Sequence, residues 1–78
     1  MTSAQIRMIT EASHLDAAAD INDAYRAAME RTTEQTDGRL GHLHNPTSYA
    51  AHGQAAANKR RRAADLRAQV DAEHNEMP

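Results

Sequence analysis

Ten residues near the middle, Asp37-Gly38-Arg39-Leu40-Gly41-His42-Leu43-His44-Asn45-Pro46, restrict what this chain can fold into. They hold two of the three glycines and one of the two prolines, with long alanine-rich segments on either side. Glycine stops a helix by taking the left-handed conformation its last turn requires, and Asn-Pro opens the next one as N-cap and first helical residue. The pattern predicts two helical arms around a hinge at 37–45, with Gly38 as the stop and Asn45-Pro46 as the restart. There is no internal repeat and no strand-like alternation.

The first arm begins with Thr2-Ser3-Ala4-Gln5, the spacing of a capping box. Ser13-His14-Leu15-Asp16 has the same form. Phase makes this second box meaningful. At about 100° per residue, Leu15, Ala18, Ile21, Tyr25, Ala28 and Met29 gather on one face, with Asp16, Asp20 and Asp23 opposite. Carried back, that phase puts Ile9 on the acidic side. A break near Ser13 removes the conflict, so the expectation is a short helix over about 3–12 and a longer one over about 14–35.

The second arm is expected to run from about Pro46 to about His74, with a frayed tail at 75–78. Its seam at 3/4 spacing is Tyr49, His52, Ala56, Lys59, Ala63, Leu66 and Val70. Gly53, which costs roughly 1 kcal/mol against alanine inside a helix, joins Ala56 and Ala57 in a narrow surface open to close approach by another backbone. Glu73 is expected off the seam.

Seventy-eight residues make at most one domain, 1–78, and the large apolar side chains are few: no Phe, no Trp and two Tyr. Alanine favours helix but buries little area. A chain this small with so thin a core usually needs a second copy, a metal or a partner. The expected fold is therefore all-α: a helical hairpin with a short extra N-terminal helix, completing a bundle by homodimerisation, dimer favoured, or by binding a partner. The self-association seam would use Leu15, Ala18, Ile21, Tyr25, Met29, Tyr49, Ala56, Ala63, Leu66 and Val70.

Formal net charge is -2, but the charge is unevenly placed. Residues 1–36 carry six acidic against three basic side chains, and residues 58–67 carry five basic against one acidic. That division points to antiparallel or intersubunit pairing, or to two interaction surfaces. The acidic row Asp16, Asp20, Asp23, Glu30 and Glu34 keeps to one side at steps that set carboxylates roughly 5–6 Å apart, comparable to phosphates along a strand. Such a row suits a basic channel on another protein, or is the water-facing side of an amphipathic helix. The basic belt Lys59, Arg60, Arg61, Arg62 and Arg67 spreads around its helix, as phosphates on both sides of a groove would require. Asn58 and this run lack the residue order and the leucine zipper of a bZIP region. The belt equally suits pairing with Asp65, Asp71 or the acidic helix.

Chemistry finds little to use. His42, His44 and His52 with Asp37 are the available ligands for a zinc-type ion, but the spacing fits no ligand pattern and no cysteine supports it. His52 would instead pack against Tyr49 on the seam. Glu11-x-x-His14 has a di-metal bundle spacing without the lone carboxylates such a site needs. Thr47, Ser48 and His52 offer a nucleophile and base with no pocket or oxyanion hole. Gly38 and Gly41 lack the Lys and Ser/Thr of a phosphate loop. No cofactor and no metal are expected.

No cysteine and no long apolar run imply a reducing, cytoplasmic setting without signal peptide or membrane contact. The expected function is a non-enzymatic helical interaction module. In its sharpest form it is a phage- or mobile-element-type inhibitor that docks on a larger host protein or nucleoprotein complex through the acidic face. The alternatives are a nucleic-acid-binding accessory protein acting through the belt at 59–67, and a structural subunit of a larger assembly.

Overall fold

A computed structural model describes residues 1–35 and 46–76. It contains two helices, α1 (Ser3–Gln35) and α2 (Pro46–Glu76), packed antiparallel along their lengths. The molecule is a rod of 62 × 15 × 14 Å. Its radius of gyration is 17.7 Å, against about 11–12 Å for a compact domain of this length. Among the described residues the burial therefore lies along one seam. Among the described residues no helix is long and apolar enough to cross a membrane.

α1 opens as its sequence predicts. The Gln5 backbone N–H donates to Thr2 Oγ1 at 3.1 Å, and the Thr2 N–H donates to Gln5 Oε1 at 2.9 Å. The reciprocal pair satisfies donors that the first turn leaves without helical partners. The proposed caps at Gly38 and Asn45 and the hinge at 37–45 lie outside the described residues. α2 continues through Glu76, two residues past the expected end.

The expected break near Ser13 does not form: α1 is one helix of 33 residues. The physical reason is a different choice of face. Gln5, Met8, Ala12, Leu15, Ala19, Asn22, Arg26 and Met29 are buried or half-buried, and they follow alternating steps of three and four throughout. This heptad row stays in phase from end to end, so nothing requires a break. Ser13-His14-Leu15-Asp16 is mid-helix rather than a second cap.

On α2 the covered row is Tyr49, His52, Ala56, Lys59, Ala63, Leu66, Val70 and Glu73. It is the expected seam extended by Glu73, which was expected off it. Two such rows, each returning every seven residues, make an antiparallel two-stranded coiled coil. Its apolar centre is Ala12, Ala63 and Leu66, with Met8 and Leu15 packed against them. Ala19, Ala56 and Val70 complete the buried apolar set. Four of these six buried side chains are alanines, so the helices approach closely but exclude little water-facing area.

Candidate functional site: the polar seam and the outward side of the first helix

Three of the eight residues on the α1 seam, Gln5, Asn22 and Arg26, are polar, and each meets a specific answer from α2. At the open end, Gln5 is 2% exposed and donates from Nε2 to Glu73 Oε2 at 3.2 Å. The capping residue of α1 thus also ties the two helices together. At the middle, Lys59 Nζ donates to Asn22 Oδ1 at 2.6 Å, while Asn22 Nδ2 lies 2.7 Å from His52 Nδ1. An ammonium only donates, so it fixes which end of the amide faces it. The amide NH2 then faces His52 Nδ1, to which it can donate. A half-buried donor chain runs from Lys59 through Asn22 to His52.

Toward the other end, the Arg26 guanidinium lies over the Tyr49 ring, 4.3 Å from its centroid. Tyr49 in turn donates its hydroxyl to Glu30. That hydrogen bond holds the Tyr49 phenol above its ordinary range, partial burial adds to the effect, and the Arg26 charge opposes it. Gly53 serves this arrangement. A Cβ there would stand 3.1 Å from Arg26 Cζ, so the glycine makes room for an arginine of its own chain rather than for another backbone. His52 stacks on Tyr25 (centroids 5.2 Å apart, planes at 20°) and not on Tyr49 as expected.

The acidic row and the basic belt meet along one edge of the coiled coil. Arg60 Nη2 bonds Asp20 Oδ1 at 3.0 Å and Asp23 Oδ2 at 2.5 Å, and Arg67 Nη1 reaches Asp16 Oδ2 at 2.6 Å. In an antiparallel pair the same heptad edge of each helix comes together, which puts Asp16 and Asp23 opposite Arg67 and Arg60. Asp23 first, and Asp20 second, raise the Arg60 guanidinium further above its already high value. Three of the five belt residues are therefore turned toward α1: Lys59 into the seam, Arg60 and Arg67 onto the acidic edge. Arg61 and Arg62 are exposed, and among the described residues neither makes an ion pair or a side-chain hydrogen bond. Glu30 is exposed beside Tyr49, and the Glu34 side chain lies outside the described set.

The residues expected for self-association divide. Leu15, Met29, Tyr49, Ala56, Ala63, Leu66 and Val70 line the seam within the chain. Ala18, Ile21 and Tyr25 lie beside it, with Ile21 59% and Tyr25 57% exposed. They belong to a strip made of Ala17, Ala18, Ile21, Ala24, Tyr25 and Ala28, all exposed or half-exposed. Between Glu11 and Arg31 this side of α1 carries His14 and no other ionisable side chain except Tyr25. α1 is three-sided: seam, acidic edge and apolar strip, separated by roughly a third of a turn each.

Sequence spacing finds Gln5 as a cap but not its place on the seam, does not single out Asn22 or Arg26, and sets Glu73 off the seam that it joins. Extending the 3/4 steps from Leu15 in both directions reaches the first three. The large Ile21 and Tyr25 drew the phase away from that row.

His42, His44 and Asp37 lie outside the described residues. Among the described ones, no three His, Asp or Glu side chains gather as a metal ion requires. Glu73 is bound to Gln5, at the Thr2 end of α1. No protein-family model matches the chain, and comparisons with curated proteins and with solved structures found no match.

Proposed function

We propose that the chain is a small interaction module, not an enzyme, which acts by docking the outward side of α1 against other protein surface. The observation that carries this reading is the exposure of Ile21 and Tyr25 within an uncharged strip. A contiguous apolar patch rimmed by polar residues is where soluble proteins meet partners. Among the described residues catalysis gains no comparable support: the concavity lined by Ile9, Arg67, Val70 and Asp71, of about 230 Å3, is too open to shield a substrate from water.

The acidic edge borders the strip and suits a larger host protein or nucleoprotein complex with a basic docking surface. Asp20 keeps 77% of its side chain exposed while paired with Arg60, and Glu30 is also exposed. An inhibitor of phage or mobile-element type would work this way, exchanging Arg60 and Arg67 for the partner's cations at Asp16 and Asp23. Direct nucleic-acid binding draws less support, because only Arg61 and Arg62 of the belt point away from α1.

Capture of proteins from the native host extract tests the proposal with two variants. Ile21→Ser/Tyr25→Ser removes the strip, and Asp16→Asn/Asp20→Asn/Asp23→Asn neutralises the edge. Asparagine is the right replacement, since lysine would repel Arg60 and Arg67 and confound folding with binding. Selective loss of a captured protein in either variant, at wild-type helicity, supports docking through α1. Capture unchanged in both ends the proposal, and steep salt-dependent DNA or RNA binding would put the belt in its place.

A further inference from the structure

We infer that the strip Ala17–Ala28 receives a second copy of this chain, α1 against α1 in antiparallel orientation, joining two hairpins into a four-helix dimer. The inference rests on the reading of that strip as a docking face. It names the occupant and leaves the acidic edge turned outward for a different partner.

Three observations point to self-pairing. The first is the thinness of the intrachain core: among the described residues no large side chain is fully buried, and the covered apolar set is four alanines, Leu66 and Val70. A chain of this length gains too little from such a seam, and a second layer of helix is what small helical units add.

The second is the form of the strip. In order it runs small (Ala17, Ala18), large (Ile21), small (Ala24), large (Tyr25), small (Ala28). Turned end for end, it matches itself, so Ile21 of one copy meets Tyr25 of the other and Ala18 meets Ala28. A two-fold interface demands such self-complementarity, because both copies present the same patch.

The third is charge. Glu11 closes one end of the strip and Arg31 the other. Antiparallel pairing brings Glu11 toward the Arg31 end of the second copy, whereas parallel pairing sets like charges together at both ends. The stretch between them would bury no aspartate, glutamate, lysine or arginine. On the same side α2 adds Ala51 and Ala55, small enough to admit the second α1 into the groove between the helices, and one heptad on Arg62, whose long side chain can reach outward to water.

Sedimentation equilibrium on the full chain, from low to several hundred micromolar, tests this. The expected result is a concentration-dependent species of twice the chain mass. Ile21→Ser should raise its dissociation constant roughly a hundredfold, about tenfold for each copy. Arg61→Ser, on the outer face of α2, should leave it unchanged. Orientation is read by cysteine pairing, which is clean because the chain has no cysteine of its own. Oxidising a mixture of Ala18→Cys and Ala28→Cys proteins should give the mixed disulfide, and neither variant alone should cross-link. A monomer throughout the range overturns the inference, as does cross-linking of either variant only to itself. A monomeric wild type that still loses a host protein on Ile21→Ser/Tyr25→Ser leaves the docking reading standing while the second-copy inference falls.

Discussion

Lys59 reaches across from the middle of α2 and donates a 2.6 Å hydrogen bond to the Oδ1 of Asn22, which is 8% exposed on α1. A charged amine and a buried amide hold a position where a coiled coil would ordinarily place leucine. The pairing sets register. Sliding α2 by one heptad would face Lys59 with Leu15 or Met29 and leave the amide without its cation. Polar residues at seam positions trade stability for a single alignment in this way.

Removing the amide is expected to be costly. Asn22→Ala strips the acceptor from Lys59 and the donor from His52 together, and the expected loss is about 1–3 kcal/mol in urea unfolding. Asn22→Leu combined with Lys59→Leu should recover much of it while broadening the alignment, seen as additional peaks in the amide NMR spectrum. Equal stability of Asn22→Ala and wild type would mean that the chain through Lys59 and His52 carries nothing.

Leu66 is the largest of the buried apolar side chains among the described residues. It is 3% exposed and packs with Ala12 and Ala63, neither of which can grow to refill the space. Leu66→Ala should cost about 2–4 kcal/mol, enough to unfold most of so small a protein. Circular dichroism melting checks this, and a variant that melts within a few degrees of wild type would contradict a seam centred on Leu66.

Gly53 sets helix propensity against the position of Arg26. Gly53→Ala gains about 1 kcal/mol from propensity but presses a Cβ on the guanidinium at 3.1 Å. The guanidinium is the far end of a flexible side chain, so a small net stabilisation is expected. In an Arg26→Ala background the full gain should appear. The difference between the two backgrounds, from a double-mutant thermal series, measures the crowding; the same gain in both would show that Arg26 does not rest on Gly53.

Alkaline pH should weaken the fold through Tyr49. Its hydrogen bond to Glu30 raises the phenol's folded-state pKa above the ordinary value of 10.0, so the folded state keeps the proton longer than the unfolded one. This contribution is complete below about pH 10 and disappears as pH rises through the folded value. Tyr49→Phe should have the shallower loss of stability between neutral and strongly alkaline pH. Parallel curves for the two proteins would contradict the linkage.

The ion pairs along the acidic edge are exposed and should matter little singly. Arg67→Ala is expected to cost about 0.5 kcal/mol or less, and salt near 1 M, where screening acts within about 3 Å, should remove that difference. A large salt-insensitive loss in the melting temperature would place Arg67 in the core instead.

Much of this molecule is legible in its sequence because its causes are local. The Thr2/Gln5 capping box, the start of α2 at Pro46 and the α2 seam from Tyr49 to Val70 each depend on residues within one or two turns. Propensity and spacing act at that range. The pairing of an acidic with a basic segment was also foreseeable, since charge of opposite sign on two arms favours bringing them together.

The tertiary structure decided which face of α1 is covered. Two rows compete on that helix: Ile21 and Tyr25 with their alanine neighbours, and Ala12, Ala19, Asn22 and Arg26 in line with Leu15. Apolar size alone selects the first. Only the presence of α2 makes the second preferable, because Lys59 and His52 need Asn22, Arg26 needs Tyr49 and Gly53, and Arg60 and Arg67 need Asp23 and Asp16 on the adjoining edge. Hydrogen bonds and ion pairs between distant segments cannot be counted until both helices are in place. Hydrophobic periodicity along one helix therefore does not reveal them.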